Sequence, residues 1–274
     1  MHQYKIITSD LDGTLLNSRS EISSENLCAI HELSKRGIHF VPSTGRTLSE
    51  LPAEIIDDPA IRYVIHSNGA VVLDRQTNQR SLTCIPNETT KQILDVLNGF
   101  ETHITVRQDG NCFVDAALTD EASYDYYNVC EAHRVVLREY ARHLLDFKAF
   151  SYHAENVEVI SAFFHDYSQI AVCRKKIEQL GNLRVVAVDK YNLEIMNVHA
   201  GKGNALHILA DMLGVDIADT ISIGDSDNDE SMILAAGLGL AVSNAWESLK
   251  AVADGVICSN DEHAVAYVLT HYLR

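Results

Sequence analysis

Positive charge is scarce in this sequence. Its 38 aspartates and glutamates outnumber its 22 lysines and arginines, which gives the 274 residues a formal net charge of −16. Nucleic acids and anionic membrane surfaces attract proteins of the opposite charge, so neither is expected as a main partner. If the protein binds an anion, its site must supply a local source of positive charge.

Long apolar runs and paired cysteines are also missing. No segment reaches the length of a membrane span, and the opening MHQYKIITSD lacks the basic start and apolar stretch of a signal peptide. We therefore expect a cytoplasmic protein with no membrane partner.

The six cysteines are scattered without a C-x-x-C pair, which argues against a disulfide framework or a thiolate zinc site. They are Cys28, Cys84, Cys112, Cys130, Cys173 and Cys258.

Short apolar runs alternate with helical patterns at both ends of the chain. The runs are nearly continuous in apolar residues, as in strands of a parallel sheet that is covered on both faces. They lie at 4–9, 38–42, 63–66, 220–223, 238–242 and 255–258. One helix, capped by Ser23 or Ser24, follows the first strand, and another runs from about Asn204 to Leu213 before Gly214. This rhythm predicts an α/β fold with a Rossmann-like, doubly wound parallel sheet.

The middle of the chain has a different pattern, typical of an inserted α+β domain with a mostly antiparallel sheet. The predicted elements are helix 88–97, strands 102–107 and 111–115, helix 120–132, strand 157–164, helix 167–180 and strand 183–188, with 133–156 unassigned. Pro86 and the turn Val188-Asp189-Lys190 are the expected crossings. The predicted organisation is therefore a core in two parts, 1–83 and 191–274, around an insert at 84–190.

Polar clusters follow four of the predicted core strands. They are Ser9-Asp10 with Asp12 close behind, Ser43-Thr44-Gly45-Arg46, Ser67-Asn68-Gly69-Ala70, and Gly224-Asp225-Ser226-Asp227-Asn228-Asp229. In open parallel sheets, ligands bind at the carboxyl ends of the strands, so the clusters are expected to converge. Several acids without a cysteine or histidine ligand pattern favour a hard cation such as Mg²⁺. With Lys202, this cation would provide the positive charge that a phosphate group requires.

The ordered set of motifs resembles a known superfamily. DLDGT (10–14), STGR (43–46), Lys202 in AGKGNAL and GDSDND (224–229) are similar to the four motifs of haloacid-dehalogenase-like (HAD) proteins. SNGA (67–70), the large insert and VSNA (242–245) resemble the Cof-type branch, in which the insert is a C2-type cap domain. The resemblance implies a Mg²⁺-dependent phosphatase of small phosphorylated metabolites, such as sugar phosphates or phosphorylated cofactors, acting through an aspartyl-phosphate.

The resemblance also implies roles for the acids. Asp10 would be the nucleophile and a Mg²⁺ ligand. Asp12 would be the general acid/base, with its backbone carbonyl on the metal. Asp225 would be a further ligand, and Asp229 would support the metal directly or through water.

The remaining motif residues would hold the substrate. The phosphate-binding set implied by the resemblance is Thr44, Gly45, Lys202 and Asn228. Arg46 and Asn68 would line the substrate side. The cap would select the leaving group, and neither the substrate nor the oligomeric state follows from the sequence.

Other functions fit some of the same residues. A phosphomutase would use the same aspartyl-phosphate but return the phosphoryl group to the substrate. A Mg²⁺/phospho-ligand sensor would keep the site without catalysis. At the level of single residues, Asp10 and Asp12 could form a solvated turn, and the acids of 227–229 could stabilise a helix N-terminus. The ordered set of motifs favours the phosphatase.

Overall fold

The computed structural model describes residues 4–187 and 189–273, which form two compact units. The first comprises Met1–Arg46, Leu51–Ser81 and Gly201–Arg274, and the second comprises Thr47–Glu50 and Leu82–Ala200. The strands are β1 (Ile6–Ser9), β2 (His39–Pro42), β3 (Tyr63–His66), β4 (Val71–Asp74), β5 (Gln79–Leu82), β6 (Thr102–Gln108), β7 (Asn111–Asp115), β8 (Arg142–Leu144), β9 (Val157–Phe164), β10 (Leu183–Val186), β11 (Asn192–Asn197), β12 (Thr220–Gly224), β13 (Leu238–Ala241) and β14 (Gly255–Val256). The helices are α1 (Ser24–Lys35), α2 (Ala53–Ile56), α3 (Asn87–Leu97), α4 (Glu121–Tyr126), α5 (Glu131–Glu139), α6 (Phe147–His153), α7 (Ile170–Glu178), α8 (Lys202–Leu213), α9 (Glu230–Ala235), α10 (Glu247–Val252) and α11 (Ala264–Tyr272).

A parallel sheet forms the centre of the first unit. Its strand order is β14-β13-β12-β1-β2, and every neighbouring pair runs parallel. All residues of β1 and β12 are buried, including the hydroxyl side chains of Thr8 and Ser222, which contact each other at 2.6 Å. The predicted α/β class with a parallel core sheet is confirmed.

The strand predicted at 63–66 belongs to a different sheet. β3 pairs antiparallel with β4 in a sheet of order β3-β4-β5. A single parallel bridge, between Ser43 and Ile65, connects β3 with the end of β2. Burial of all four residues of β3 gives it the same apolar pattern as the parallel strands. The sequence pattern therefore did not distinguish the two sheets.

Two helices of the first unit carry the predicted end signals. The side chain of Ser23 caps α1 by accepting the backbone N–H of Asn26 at 3.2 Å. α8 ends at Gly214, which has a left-handed φ of 62°. Leu206 and Leu209 of α8 belong to the same buried cluster as Ile6 and Val41 of the sheet. Lys202, the first residue of α8, contacts Asp10, so this helix begins beside the carboxyl end of β1.

The second unit is built on a sheet of order β10-β11-β9-β6-β7-β8. Its pairs are antiparallel except β7 with β8. One face packs its apolar side chains, including Val106, Ile160 and Leu193, with residues of α3, α6 and α7. Because side chains alternate along a strand, the other face carries the buried polar residues Ser161 and Glu194.

The structure differs from the sequence prediction at several points of the second unit. The helix expected at 120–132 is two helices, α4 and α5, separated near Asn128, whose φ is +56°. The unassigned tract 133–156 contains most of α5 together with β8 and α6. The second unit extends to Ala200 rather than to residue 190, because β11 pairs with β9 and β10. Val188, at the predicted crossing, lies outside the described residues.

The helices of the described residues are short. None of them combines the length and the apolar character that are needed to cross a membrane.

Candidate active site

β1 carries the first acidic residue to the edge of the parallel sheet. Asp10 follows the strand directly and is only 4% exposed. Its backbone N–H donates to the carbonyl of Ile223 on β12 at 3.0 Å. A tightly wound turn, Leu11–Leu15, then takes the chain away from the sheet. The position of Asp10 is therefore fixed by the sheet itself.

Gly13 allows this turn to approach a second acid closely. Its φ is +78°, a value that side-chain-bearing residues rarely adopt. A Cβ at this position would lie 2.6 Å from Oδ2 of Asp225. The Nδ2 of Asn244 donates to the carbonyl oxygen of Gly13 at 2.8 Å. The turn that carries Asp12 is thus held against the loop that carries Asp225.

A buried lysine connects two of the carboxylates. The Nζ of Lys202 donates to Oδ1 of Asp10 and to Oδ1 of Asp229, both at 2.6 Å. The lysine side chain has no exposed surface. Burial alone would lower the pKa of this ammonium, but the two carboxylates outweigh burial and raise its pKa above the usual value. Lys202 is therefore a fixed positive charge inside an acidic protein.

Asp229 organises the loop after β12. Its Oδ2 accepts the backbone N–H groups of Asp225 at 2.9 Å and of Ser226 at 3.1 Å, and its Oδ1 accepts from Lys202. Asp225 is less buried, and its Oδ1 accepts the hydroxyl of Thr14 at 3.4 Å. Both oxygens of Asp229 thus already have donors from the protein.

Three carboxylates converge at this edge of the sheet. Oxygen atoms of Asp10, Asp225 and Asp229 all lie within 4.8 Å of one another. Burial raises the pKa of Asp10 in spite of Lys202, and burial together with Asp229 raises the pKa of Asp225 to about 6. Both shifts indicate negative charge that a bound cation would relieve. An all-oxygen donor set suits a hard cation, so these residues fit the predicted Mg²⁺.

Asp12 has a different partner. Arg46 donates to it in a bidentate manner, with Nε 2.9 Å from Oδ2 and Nη2 2.6 Å from Oδ1. The Asp12 side chain is 56% exposed and that of Arg46 is 28% exposed. The planar guanidinium therefore orients a carboxyl group that is still accessible to solvent. A general acid/base requires both a defined direction and access to a proton.

The polar residues after β2 and β3 form one hydrogen-bonded network. The Oγ1 of Thr44 accepts the backbone N–H of Arg46 at 3.1 Å, and its carbonyl accepts the backbone N–H of Asn68 at 3.0 Å. The Nδ2 of Asn228 donates to Oδ1 of Asn68 at 3.3 Å. A Cβ at Gly45 would lie 2.9 Å from that same Oδ1. The structure thus brings together the residues predicted for phosphate and substrate binding in the loops after β2, β3 and β12.

Two residues in these contacts were not among the predicted site residues. Thr14 contacts Asp225, and Asn244 fixes the Gly13 turn while its Oδ1 accepts the backbone N–H of Asn260 at 2.9 Å. Asn244 follows β13, so the rule of polar residues at parallel strand ends would have found it. The contact of Thr14 depends on the path of the wound turn, for which the sequence offered no signal.

Comparison with known proteins places the chain in a family. Residues 7–269 match the family described as haloacid dehalogenase-like hydrolase. Phosphatase YwpJ of Bacillus subtilis (strain 168) is 32% identical, over 98% of this chain and 100% of that protein. The 5-amino-6-(5-phospho-D-ribitylamino)uracil phosphatase YwtE of the same organism is 31% identical, over 98% of each. The solved structure of a haloacid dehalogenase-like hydrolase from B. subtilis has a TM-score of 0.77 at 29% identity, covering 98% of this chain and 99% of that chain.

These similarities extend along the chain and are not limited to one motif. The two curated relatives are named phosphatases and are covered almost completely. The predicted class, a hydrolase of phosphoric monoesters, is therefore confirmed together with the predicted superfamily. The chain belongs to the haloacid dehalogenase-like hydrolase family.

Proposed function

We propose that the protein is a Mg²⁺-dependent phosphatase that hydrolyses small phosphorylated metabolites through an aspartyl-phosphate on Asp10. The observation that carries this proposal is the placement of Asp10, which is buried at the end of β1, paired with Lys202 and close to two more carboxylates. The similarity to YwtE, which is named for a phosphorylated ribityl compound, supports a small metabolite as the substrate.

Asp10 supplies the attacking oxygen. One of its carboxylate oxygens bonds to phosphorus while the ester oxygen of the metabolite departs, and water later cleaves the acyl phosphate. Lys202, which contacts Asp10 at 2.6 Å, offsets the charge that gathers around the transferred group. Mg²⁺, held by Asp10, Asp225 and the carbonyl of Asp12, would neutralise the phosphoryl oxygens when it is bound.

Asp229 supports this arrangement without binding the cation itself. Its two oxygens accept from Lys202 and from the amides of Asp225 and Ser226. We therefore assign it the orientation of Lys202 and of the loop that carries Asp225. The resemblance allowed Asp229 to support the metal directly or through water, and these contacts favour a role without a direct bond to the metal.

Asp12 acts as the general acid and then as the general base. It protonates the departing oxygen, and it then removes a proton from the water that attacks the acyl phosphate. The bidentate contact with Arg46 sets its direction. The hydroxyl of Thr44 and the backbone amides near Gly45 donate to the phosphoryl oxygens.

The other motif residues complete the substrate side. Asn228 places the phosphoryl group, and Asn68, to which it donates, contacts the rest of the metabolite. We assign the second unit the part of a C2-type cap domain that selects the leaving group.

The decisive experiment replaces Asp10 by asparagine, which keeps the size of the side chain but removes the nucleophile. Inorganic phosphate release is measured with Mg²⁺ on p-nitrophenyl phosphate and on a panel of phosphorylated sugars and cofactors. Asp10→Asn should abolish turnover, whereas Asp211→Asn, at an exposed position on α8, should not change it. Wild-type rates in Asp10→Asn, or consumption of substrate without release of phosphate, would contradict the proposal.

A further inference from the structure

Cys130 of the second unit contacts a histidine on its own helix. Its Sγ lies 3.3 Å from Nδ1 of His133. Cys130 is the N-cap residue of α5 and is partly exposed. The positive end of a helix dipole and a neighbouring imidazole both favour a thiolate over a thiol.

A buried carboxylate lies on the other side of this histidine. Nε2 of His133 is 3.8 Å from Oε1 of Glu194 on β11. Glu194 is held in turn by Arg107 at 3.7 Å and by the hydroxyl of Ser161 at 3.3 Å. The ring of Phe163 packs edge-on against the imidazole, with centroids 4.7 Å apart. Cys130, His133 and Glu194 are therefore arranged in space as a nucleophile, a base and a group that orients the base.

Arg107, His133 and Glu194 shift the pKa values of their neighbours, and Arg107 opposes the imidazolium of His133. Arg107 and His133 overcome the effect of burial and lower the pKa of Glu194 to about 2. Burial opposes the imidazolium, but Cys130 and Glu194 outweigh it and raise the pKa of His133 to about 9. The hydrogen bond with His133 in turn lowers the pKa of the Cys130 thiol, although burial and, less strongly, the carboxylate of Asp189 act in the opposite direction. Burial lowers the pKa of His103 on β6, and the charge of His133 lowers it further.

Four other cysteines of the chain have the opposite character. Burial raises the pKa of Cys84, Cys112 and Cys173 to about 12 and that of Cys258 to about 11. Cys28 is exposed on α1 and serves as the accessible reference cysteine in the experiments below. The pKa of Cys130 is shifted in the opposite direction, and its Sγ contacts Nδ1 of His133 at 3.3 Å.

We propose that Cys130 is a reactive thiolate that small peroxides oxidise to a sulfenic acid, with His133 as its positioning residue and Glu194 as the anchor of that histidine. The sulfur attacks one peroxide oxygen, so an S–O bond forms while the O–O bond breaks. The sulfur is oxidised, and the electron pair leaves with the other oxygen as hydroxide or alkoxide, which takes a proton from water. The phosphatase chemistry of the first unit does not use any of these residues.

The first test needs no variant. The reduced full-length protein is alkylated with iodoacetamide at pH values from about 6 to about 8, and the rate at each cysteine is followed by peptide mass spectrometry. Over this range the rate at Cys130 should change with pH several-fold less than the rate at Cys28, whose side chain is exposed. Equal pH slopes at the two cysteines would overturn the proposal.

A second test identifies the contribution of the histidine. His133→Gln should give Cys130 the pH slope of Cys28, and His153→Gln, at an exposed histidine on α6, should leave the wild-type slope unchanged. The urea midpoint and the circular dichroism spectrum report whether each variant is folded. A folded His133→Gln protein that retains the flat profile would exclude the assigned positioning role.

The third test addresses the oxidation itself. The protein is exposed to stoichiometric hydrogen peroxide in the presence of dimedone, which traps sulfenic acids. The adduct should form on Cys130 ahead of the other cysteines and should be absent from that peptide in Cys130→Ser. Preferential trapping at Cys28, or no adduct at Cys130, would show that the thiol is not a peroxide-sensitive site.

Discussion

Replacing Lys202 by methionine should destabilise the first unit strongly. The lysine side chain is fully buried and contacts Asp10 and Asp229 at 2.6 Å each. Methionine fills a similar volume but leaves two buried carboxylates without their shared cation. Loss of one partner from a buried ion pair costs about 3–5 kcal/mol of unfolding free energy. With a denaturant slope of about 3 kcal/mol/M, this corresponds to a fall of ~1 M or more in the urea midpoint.

The size of the effect should depend on pH. Burial already raises the pKa of Asp10, and removal of the ammonium raises it further. A carboxyl group with a raised pKa binds its proton more tightly in the folded state, so folding of Lys202→Met should recover as the pH falls. The deficit relative to the wild type should therefore be largest near pH 8 and smaller near about pH 5.

The assay is urea unfolding of the apo protein in EDTA, followed by circular dichroism at both pH values. Midpoints are compared directly, because two compact units need not unfold together. Lys35→Met is the matched control, since the Lys35 side chain is 75% exposed and lies 3.8 Å from Glu32. It should change stability by less than ~0.5 kcal/mol. A Lys202→Met midpoint at pH about 8 that equals the control would refute the reasoning about buried charge.

Three further outcomes are expected. Asp12→Ala should lower kcat at least ~10²-fold with little change in the urea midpoint, since the side chain is 56% exposed, and an unchanged kcat would remove its acid/base role. EDTA should abolish phosphate release and added Mg²⁺ should restore it, while activity that resists the chelator would count against the metal site. The pKa of His133 rises from 6.5 to about 9 on folding, so the stability it contributes, up to roughly 3 kcal/mol, should be complete below about pH 6.5 and lost as the pH rises through about 9. In urea titrations His133→Gln should lack this decline, and a decline equal to that of the wild type would contradict the assigned pKa.

The parallel sheet could be predicted because burial on both faces leaves a clear trace in the sequence. β1 and β12 are buried at every position, and each contains two isoleucines. Burial was a misleading signal for β3, which is also buried at every position but pairs antiparallel with β4. Apolar periodicity reports burial, and strand direction has to be inferred from connections.

The second unit was less predictable, because its pairings join distant parts of the chain. β11 lies between β9 and β10, yet it follows the predicted crossing and was assigned to the core. The break between α4 and α5 depends on a left-handed Asn128, a conformation that asparagine tolerates but does not require. His133 on α5 and Glu194 on β11 are distant in the sequence, so no local motif predicted their contact.

The candidate site was predictable to the extent that sheet register determines it. Ser9 pairs with Ile223 on one side and with Pro42 on the other. The residues that follow these strands, Asp10 among them, must therefore leave the sheet at the same level. For this reason a rule about strand ends located the acids of β1 and β12 and the hydroxyl after β2 without any knowledge of their contacts.

Lys202 is the exception to that rule, since it begins a helix and does not follow a strand. Its position depends on two close backbone approaches. A Cβ at Gly69 would lie 2.3 Å from the carbonyl oxygen of Gly201, and a Cβ at Gly203 would lie 2.2 Å from the carbonyl oxygen of Ser231. The turn after β3 and the helix α9 thus pack against the start of α8 without any side chain between them. SNGA was interpreted as a motif of the Cof-type branch with Asn68 on the substrate side. Its glycine has a further physical role, because it allows the close approach to the start of α8, whose first residue contacts Asp10 and Asp229.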